Sequence, residues 1–127
     1  MKHRTLFLVG AIVLFVYGLL WLVLPAVGLN LHGHDLVASD LASVIARYWG
    51  SAFVGLGVIL WLAKEGDADS IAVRAIIGGG FVMCVTGLVA AIIDKMQASP
   101  NALIWLSIGL YALFSIWFGA LLFGKKA

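Results

Sequence analysis

The chain has 127 residues, of which 64% are hydrophobic and 11% are charged, and its net charge is +2. Soluble domains carry about 25% charged residues, so this composition excludes an ordinary soluble domain and predicts a single membrane-embedded unit, residues 1–127. The basic residues lie at the ends of apolar segments rather than in one cluster. This placement argues against a nucleic-acid partner and leaves membrane lipids as the expected surroundings.

Four apolar segments reach the roughly 20 residues that a helix needs to cross a bilayer. They cover residues 5–24, 41–63, 71–93 and 102–124. The last two connections are short, and short connections make successive helices antiparallel neighbours. The predicted fold is therefore an all-α, up-down-up-down bundle of four transmembrane helices.

Local signals place the predicted helix ends. Pro25 should end the first helix because proline lacks the amide hydrogen that the next turn needs. A long loop follows, and Ser39 and Asp40 at its end are candidate N-caps of the second helix. Ser70 or Asp69 is the corresponding candidate for the third.

Basic residues predict the orientation, since positive residues in short loops stay on the cytoplasmic side. One end of the bundle carries Lys2, Arg4, Lys64, Arg74, Lys125 and Lys126, and the other carries Arg47 and Lys95. This distribution predicts a multi-pass protein with both termini in the cytoplasm. Trp21 and Trp105 near the outer ends, with Trp61 near the inner end, fit an interfacial aromatic belt.

Small residues recur at four-residue spacing, which places them on one helix face and lets another backbone approach closely. The predicted packing positions include Ala46, Gly50, Gly55, Gly79, Gly87 and Gly119. They can serve packing within the bundle or self-association. The run 78–80 is three consecutive glycines, which weakens a helix and can permit a bend.

Arg47 is the charged residue deepest in a predicted span, about two turns into the second helix. A guanidinium at the membrane centre costs at least about 2.5 kcal/mol. Arg47 should therefore reach toward the headgroups or pair with a carboxylate, with Asp94 as first choice and Asp40 as second. Structural pairing and binding of an anionic headgroup or carboxylate ligand both remain open, so these three residues form the candidate ligand site.

His32 and His34, with Asp35 beside them, bring two imidazoles and a carboxylate into the first loop. Two ligands two residues apart do not complete a tetrahedral zinc site, so a solvated loop without metal or other cofactor is the favoured interpretation. No serine, threonine or cysteine has an evident base partner, and the predicted helix interiors contain no Asp or Glu. The sequence thus predicts neither an enzyme nor a proton-coupled transporter.

A local pattern runs from Arg47, Tyr48, Trp49 and Gly50 through FVGLGVILWLAK, and Arg74 then opens a glycine-rich third helix. In this pattern, and in hydropathy and helix order over most of its length, the chain resembles small uncharacterised bacterial four-helix membrane proteins, including the DoxX-like group. The resemblance implies a four-helix bundle in a bacterial inner membrane. It implies no catalytic residue.

Two functions are compatible with these features. The first is a non-enzymatic accessory or interaction subunit that packs through its small-residue faces, as a homo-oligomer or within a larger membrane complex. The second is a binder or carrier of a small lipophilic or anionic molecule, with Arg47 as its polar anchor. A stoichiometric protein partner would favour the first function, and a cavity leading to the arginine would favour the second.

Overall fold

The computed structural model describes residues 3–31, 40–97 and 102–124. Within these ranges the chain is helical, with α1 at His3–Val23, α2 at Pro25–Leu31, α3 at Asp40–Ala63, α4 at Ile71–Gln97 and α5 at Ala102–Phe123. Four of the helices, all except the seven-residue α2, are long and apolar enough to span a membrane. The four predicted long apolar helices are confirmed, and α2 is an addition to them.

The helix α2 occupies the first part of the predicted long loop. The Leu24 amide donates to the Leu20 carbonyl at 2.9 Å, and the Gly28 amide donates to the Leu24 carbonyl at 3.1 Å. Helical bonding therefore resumes directly after the break at Pro25. Proline ends α1 as predicted, but it also starts α2, because the first helical position needs no amide donor.

The connection between α3 and α4 is fixed by short hydrogen bonds. The Val73 amide donates to the Ser70 hydroxyl at 3.2 Å, and that hydroxyl donates to the Asp67 carbonyl at 2.7 Å. The Asp69 amide donates to the Asp67 carboxylate at 3.1 Å. Of the two predicted caps of α4, Ser70 is the N-cap. For α3, the candidate cap Ser39 lies outside the described residues.

The helix α4 extends to Gln97, four residues beyond its predicted end. The apolar segment ends near residue 93, but no glycine or proline stops the helix there. The Lys95 ammonium lies 4.8 Å from the centre of the Trp105 ring, which links the end of α4 to the start of α5. The extension makes Asp94 part of the helix rather than part of a loop.

Helices α1 and α3 pack along each other through glycines. A Cβ atom at Gly50 would lie 2.5 Å from the Leu22 nitrogen and 2.6 Å from the Gly18 oxygen. A Cβ atom at Gly57 would lie 3.1 Å from the Phe15 ring. Since late residues of α1 face early residues of α3, the two helices run in opposite directions, and their backbones are in direct contact.

Helices α4 and α5 form a second antiparallel pair. A Cβ atom at Gly80 would lie 2.6 Å from the Phe118 ring, and one at Gly87 would overlap the Tyr111 ring. Each glycine therefore provides a recess for an aromatic ring of the opposite helix. The first pair includes a direct backbone contact, at Gly50, whereas both of these glycines in the second pair face aromatic rings.

The two pairs are joined at one end by a shared apolar core, here called the closed end. Its buried residues are Leu6, Phe7 and Ala11 of α1, Leu60 of α3, Val73, Ile77 and Cys84 of α4, and Phe114 and Phe118 of α5. At this end the Arg4 guanidinium lies 3.0 Å from the Glu65 carboxylate. Over their described lengths, the backbones of α3 and α4 scarcely approach each other.

Most of the apolar surface faces outward, since at most 33% of the residues in any spanning window are buried. This distribution is what lipid-facing helices require. Trp21 departs from the predicted interfacial belt. It is only 8% exposed, because α2 folds back and places Gly28 against its indole ring.

Candidate functional site

A cavity of about 920 Å³ lies between the two helix pairs, and all four spanning helices contribute to its wall. Leu60 and Phe118 border it where it meets the closed end. From there it extends to the opposite end of the bundle, here called the open end, where Ala42, Asp94 and Leu29 of α2 border it. The bundle is thus packed at one end and hollow toward the other.

Small side chains leave this space between the pairs. Those bordering the cavity include Ala42, Ala46, Gly79, Gly87, Ala90 and Ala91. Among the described residues, nothing would lie within 4 Å of a Cβ atom at Gly79. This glycine faces open space at the cavity, and its packing against another helix stays a prediction.

The wall is largely apolar but includes a group of polar side chains at mid-length of the helices. Tyr17, Cys84 and Tyr111 border the cavity. The Tyr17 hydroxyl oxygen is buried and has no hydrogen-bond partner within the described part of the chain. A buried hydroxyl without a partner costs about 1–3 kcal/mol, so this group destabilises the structure locally.

The cavity opens sideways between α3 and α4. Trp49 borders it and is 59% exposed, and Ile59 borders it and is 48% exposed. These residues can reach both the cavity and the outside because the backbones of the two helices scarcely meet. If the helices span a membrane, this opening faces the lipid.

The structure separates the predicted ligand residues. Asp94 is half-buried and borders the cavity, whereas Arg47 is exposed and does not, although its neighbours Ala46 and Trp49 do. Asp40 begins α3, and its side chain lies outside the described part. The ion pairs between described residues lie at the closed end. The exposure of Arg47 fits a side chain reaching toward headgroups, and its pairing with a carboxylate stays a prediction.

The predicted packing positions fall into two groups. Ala46, Gly50, Gly87 and Gly119 lie against neighbouring helices, while Gly55 and Gly79 face open space among the described residues. Helix geometry explains the difference at Gly55. Residues seven apart, such as Gly50 and Gly57, share a face, whereas Gly55 is five residues from Gly50 and points about 140° away. The four-residue spacing that predicted packing at Gly55 therefore indicated a face of α3 that α1 does not cover.

The predicted metal candidates His32 and His34 lie outside the described residues. Within the described ranges, no three His, Cys, Asp or Glu side chains are grouped closely enough to hold a metal ion. The structure instead places two tyrosines in the cavity wall that the sequence analysis missed. Tyr17 and Tyr111 were detectable as polar residues in the middle of predicted spans, where polar groups are costly and often functional.

Comparison of the chain with protein-family models, with curated proteins and with solved structures finds no match. The function is therefore argued from the chain's own geometry, and the resemblance to the DoxX-like group stays a prediction.

Proposed function

We propose that this chain is a non-enzymatic multi-pass membrane protein that binds a small lipophilic molecule in the cavity between its helix pairs. The observation that supports this function is a cavity of about 920 Å³ with a largely apolar wall. Small-molecule sites typically measure about 300–1,000 Å³ and combine apolar walls with a few polar groups. The opening between α3 and α4 offers a path from the bilayer.

Charge favours a lipophilic ligand over the anionic alternative. Asp94 is the charged residue that borders the cavity within the described part of the chain. Arg47, the cationic anchor expected from the sequence, lies on the exposed surface instead. An anion inside the cavity would therefore lack the predicted cation.

The decisive test fills the cavity. Gly79→Trp places a large side chain where a Cβ atom meets no described atom and where the residue borders the cavity. Gly78→Trp is the matched control, because Gly78 is equally unobstructed but does not border the cavity. Native mass spectrometry after purification in a mild detergent should find a lipophile on the wild-type protein and on Gly78→Trp. Its occupancy should fall sharply in Gly79→Trp, and equal occupancy in the two variants would contradict the proposal.

We further propose an up-down-up-down arrangement in a bacterial inner membrane, with both termini cytoplasmic. Six of the eight basic residues support this orientation. The antiparallel contacts within each pair support the alternation. Cysteines introduced at Gly33 and Gly66, in a Cys84→Ala background, should react with an impermeant maleimide from opposite sides of the membrane. Labelling of both from outside would reject the orientation.

An accessory-subunit role is the second candidate, and Gly55 is the observation that favours it. This glycine is exposed on α3, with no described atom within 4 Å of where a Cβ atom would lie. A helix of another chain could approach closely at this position. Gly55→Leu should then dissociate a homo-oligomer or release a copurifying partner in native mass spectrometry. An unchanged assembly would remove this candidate.

A further inference from the structure

We infer that the bound lipophile carries one positive charge, on an ammonium group that lies beside the Asp94 carboxylate and the Trp49 indole at the open end of the cavity. This inference rests on the proposed function and specifies the ligand class of the same cavity. Three properties of the described residues support it. They are the level at which Trp21, Trp49 and Asp94 lie, the charge of the wall at that level, and the apolar wall below it.

Trp21 of α1 and Trp49 of α3 lie at one level of the bundle. A Cβ atom at Gly10 would lie 2.9 Å from the Leu60 side chain, which fixes the register of these two antiparallel helices. Trp21 follows Gly10 by eleven residues, and Trp49 precedes Leu60 by eleven residues. With a helical rise of about 1.5 Å per residue, each tryptophan lies about 16 Å from the Gly10 level, toward the open end. Both tryptophans border the cavity there.

Asp94 of α4 lies at the same level. The Cβ position of Gly10 is also 3.7 Å from the Phe114 ring, so α5 joins the Gly10 level at Phe114. A Cβ atom at Gly80 would lie 2.6 Å from the ring of Phe118, which is about 6 Å closer to the closed end than Phe114. Asp94 is about 21 Å from Gly80 in the opposite direction, and therefore about 15 Å from the Gly10 level. One layer of the cavity wall thus contains two indoles and a carboxylate from three helices.

This combination of side chains suits a cation. The face of an indole ring attracts an ammonium group more strongly than other aromatic rings do, and a carboxylate supplies the opposite charge. Trp49 is 59% exposed and lies at the opening between α3 and α4, so a ligand that enters from the side can reach it. Asp94 also interacts within the protein, but a carboxylate has about four acceptor positions, and one neighbour leaves others for a ligand.

The basic residues near this level lie outside the cavity wall. The Lys95 ammonium lies 4.8 Å from the centre of the Trp105 ring, and Arg47 is exposed. Neither residue borders the cavity, so Asp94 gives the described wall a negative charge at this level. A ligand cation would neutralise that charge at the edge of an apolar space, where opposite charges are screened less than in water.

The layer lies near the edge of the hydrocarbon rather than at its centre. The apolar segment of α4 ends at residue 93, directly before Asp94. In a spanning bundle, a charge at this depth keeps contact with water and headgroups and avoids the high cost of the membrane centre. The cavity wall between this layer and Leu60 is largely apolar. An amphiphile fits this distribution, with its cation in the layer and its hydrocarbon part toward the closed end.

The test compares two radiolabelled probes of the same shape, dodecyltrimethylammonium and the hydrocarbon in which a carbon atom replaces the charged nitrogen. Saturable binding is measured in nanodiscs of zwitterionic lipid, at probe concentrations that leave the discs intact, and is corrected against empty nanodiscs. Asp94→Asn keeps the side-chain shape and removes the charge, so it should weaken ammonium binding about tenfold or more and leave hydrocarbon binding unchanged. Asp94→Glu keeps the charge and should bind the ammonium probe within about threefold of the wild type.

Trp49→Leu should weaken ammonium binding about three- to tenfold, the range of one cation–π contact, with little change in hydrocarbon binding. The matched control is Trp105→Leu, since Trp105 also lies at the open end and is 56% exposed but does not border the cavity. Glu65→Gln is the control for loss of a carboxylate, because Glu65 lies at the closed end and does not border the cavity. Both controls should bind both probes as the wild type does.

Three results would overturn the inference. The first is equal binding of the ammonium probe by the wild type and by Asp94→Asn. The second is loss of both probes in Asp94→Asn, which would mean that this residue maintains the shape of the cavity rather than binding a cation. The third is binding of dodecanesulfonate, an anion with the same chain, as tightly as the ammonium probe.

The Gly79→Trp variant separates this inference from the proposed function. If Gly79→Trp abolishes binding of the hydrocarbon probe but Asp94→Asn binds the ammonium probe normally, the cavity binds lipophiles and only the cation inference fails. If Gly79→Trp leaves both probes bound, or the wild type binds neither, the proposed function itself fails.

Discussion

The two helix pairs use glycine in different ways. In the α1–α3 pair, Gly50 lies against the backbone of Gly18 and Leu22, so main chain meets main chain. In the α4–α5 pair, Gly80 and Gly87 lie against aromatic rings of α5 instead. A backbone atom cannot move without shifting a whole helix, whereas a ring can change its rotamer. The first pair is thus a fixed wall of the cavity, and the second is the adjustable one.

This difference bears on the proposed ligand binding because Tyr111, one of the rings held against a glycine, also borders the cavity. A ligand that needs more room can displace this ring at the cost of a side-chain rearrangement. No comparable adjustment is available at Gly50, where the opposing atoms are backbone. The comparison predicts that substitutions in the two pairs will differ in both magnitude and readout.

The largest effect is expected for Gly50→Ala. The added methyl would lie 2.5 Å from the Leu22 nitrogen and 2.6 Å from the Gly18 oxygen, so α1 and α3 must separate. Overpacking of this kind costs typically about 1–3 kcal/mol, and a backbone contact belongs at the upper end. Thermal unfolding in lipid nanodiscs measures the loss. Gly55→Ala on the same helix meets no described atom within 4 Å and should leave stability unchanged or raise it by up to about 1 kcal/mol, because alanine favours the helix over glycine.

If Gly50→Ala and Gly55→Ala have the same midpoint, the α1–α3 contact is not as close as described, and the distinction between a fixed and an adjustable wall fails.

A smaller loss of stability, about 1 kcal/mol, is expected for Gly87→Ala. The methyl would overlap the Tyr111 ring, which can rotate away from it into the cavity. The variant should therefore lose much of its affinity for the ligand while its free energy of unfolding falls only slightly. Probe binding and thermal unfolding measured on the same nanodisc preparation report the two effects. In a Tyr111→Ala background, Gly87→Ala should cost no stability, because the ring that it would overlap is no longer present. A loss of stability in that background would place the clash elsewhere.

The sequence alone predicted the four spans, because apolar length and the break at Pro25 act locally. It narrowed the cap of α4 to Ser70 or Asp69, and the structure selects Ser70, whose hydroxyl accepts from the Val73 amide only three residues away. It missed α2, since seven residues carry too little periodicity to indicate a helix. The end of α4 was misplaced for a different reason, because an apolar run ends where the hydrocarbon ends and a helix need not.

The candidate site was less accessible from sequence. Small-residue spacing indicates that some helix faces are close but does not say which helix covers which face. The glycines that pack against another helix are seven residues apart, namely Gly50 with Gly57 and Gly80 with Gly87. They could be distinguished from the glycines that face open space only after it was known which helices form pairs. The cavity is a property of how the pairs diverge from their shared core, which no local pattern encodes. Arg47 attracted attention through its charge, whereas the polar groups of the wall are uncharged tyrosines.

The smallest effect is expected at the ion pair of the closed end, which links the start of α1 to the connection after α3. The Arg4 and Glu65 side chains are 63% and 56% exposed, and exposed pairs contribute about 0–1 kcal/mol. Lys64 also lies 3.7 Å from the Glu65 carboxylate but keeps Trp61 as a second partner through its ring and carbonyl. Thermal unfolding of Arg4→Gln, Glu65→Gln and the double variant gives the coupling energy between the two residues. This energy should be below about 1 kcal/mol. It should vanish near 1 M salt, where charges are screened beyond about 3 Å. A larger coupling that survives high salt would mean that charge, rather than the apolar core between the pairs, holds this end together; Gly50→Ala would then no longer be the more damaging change.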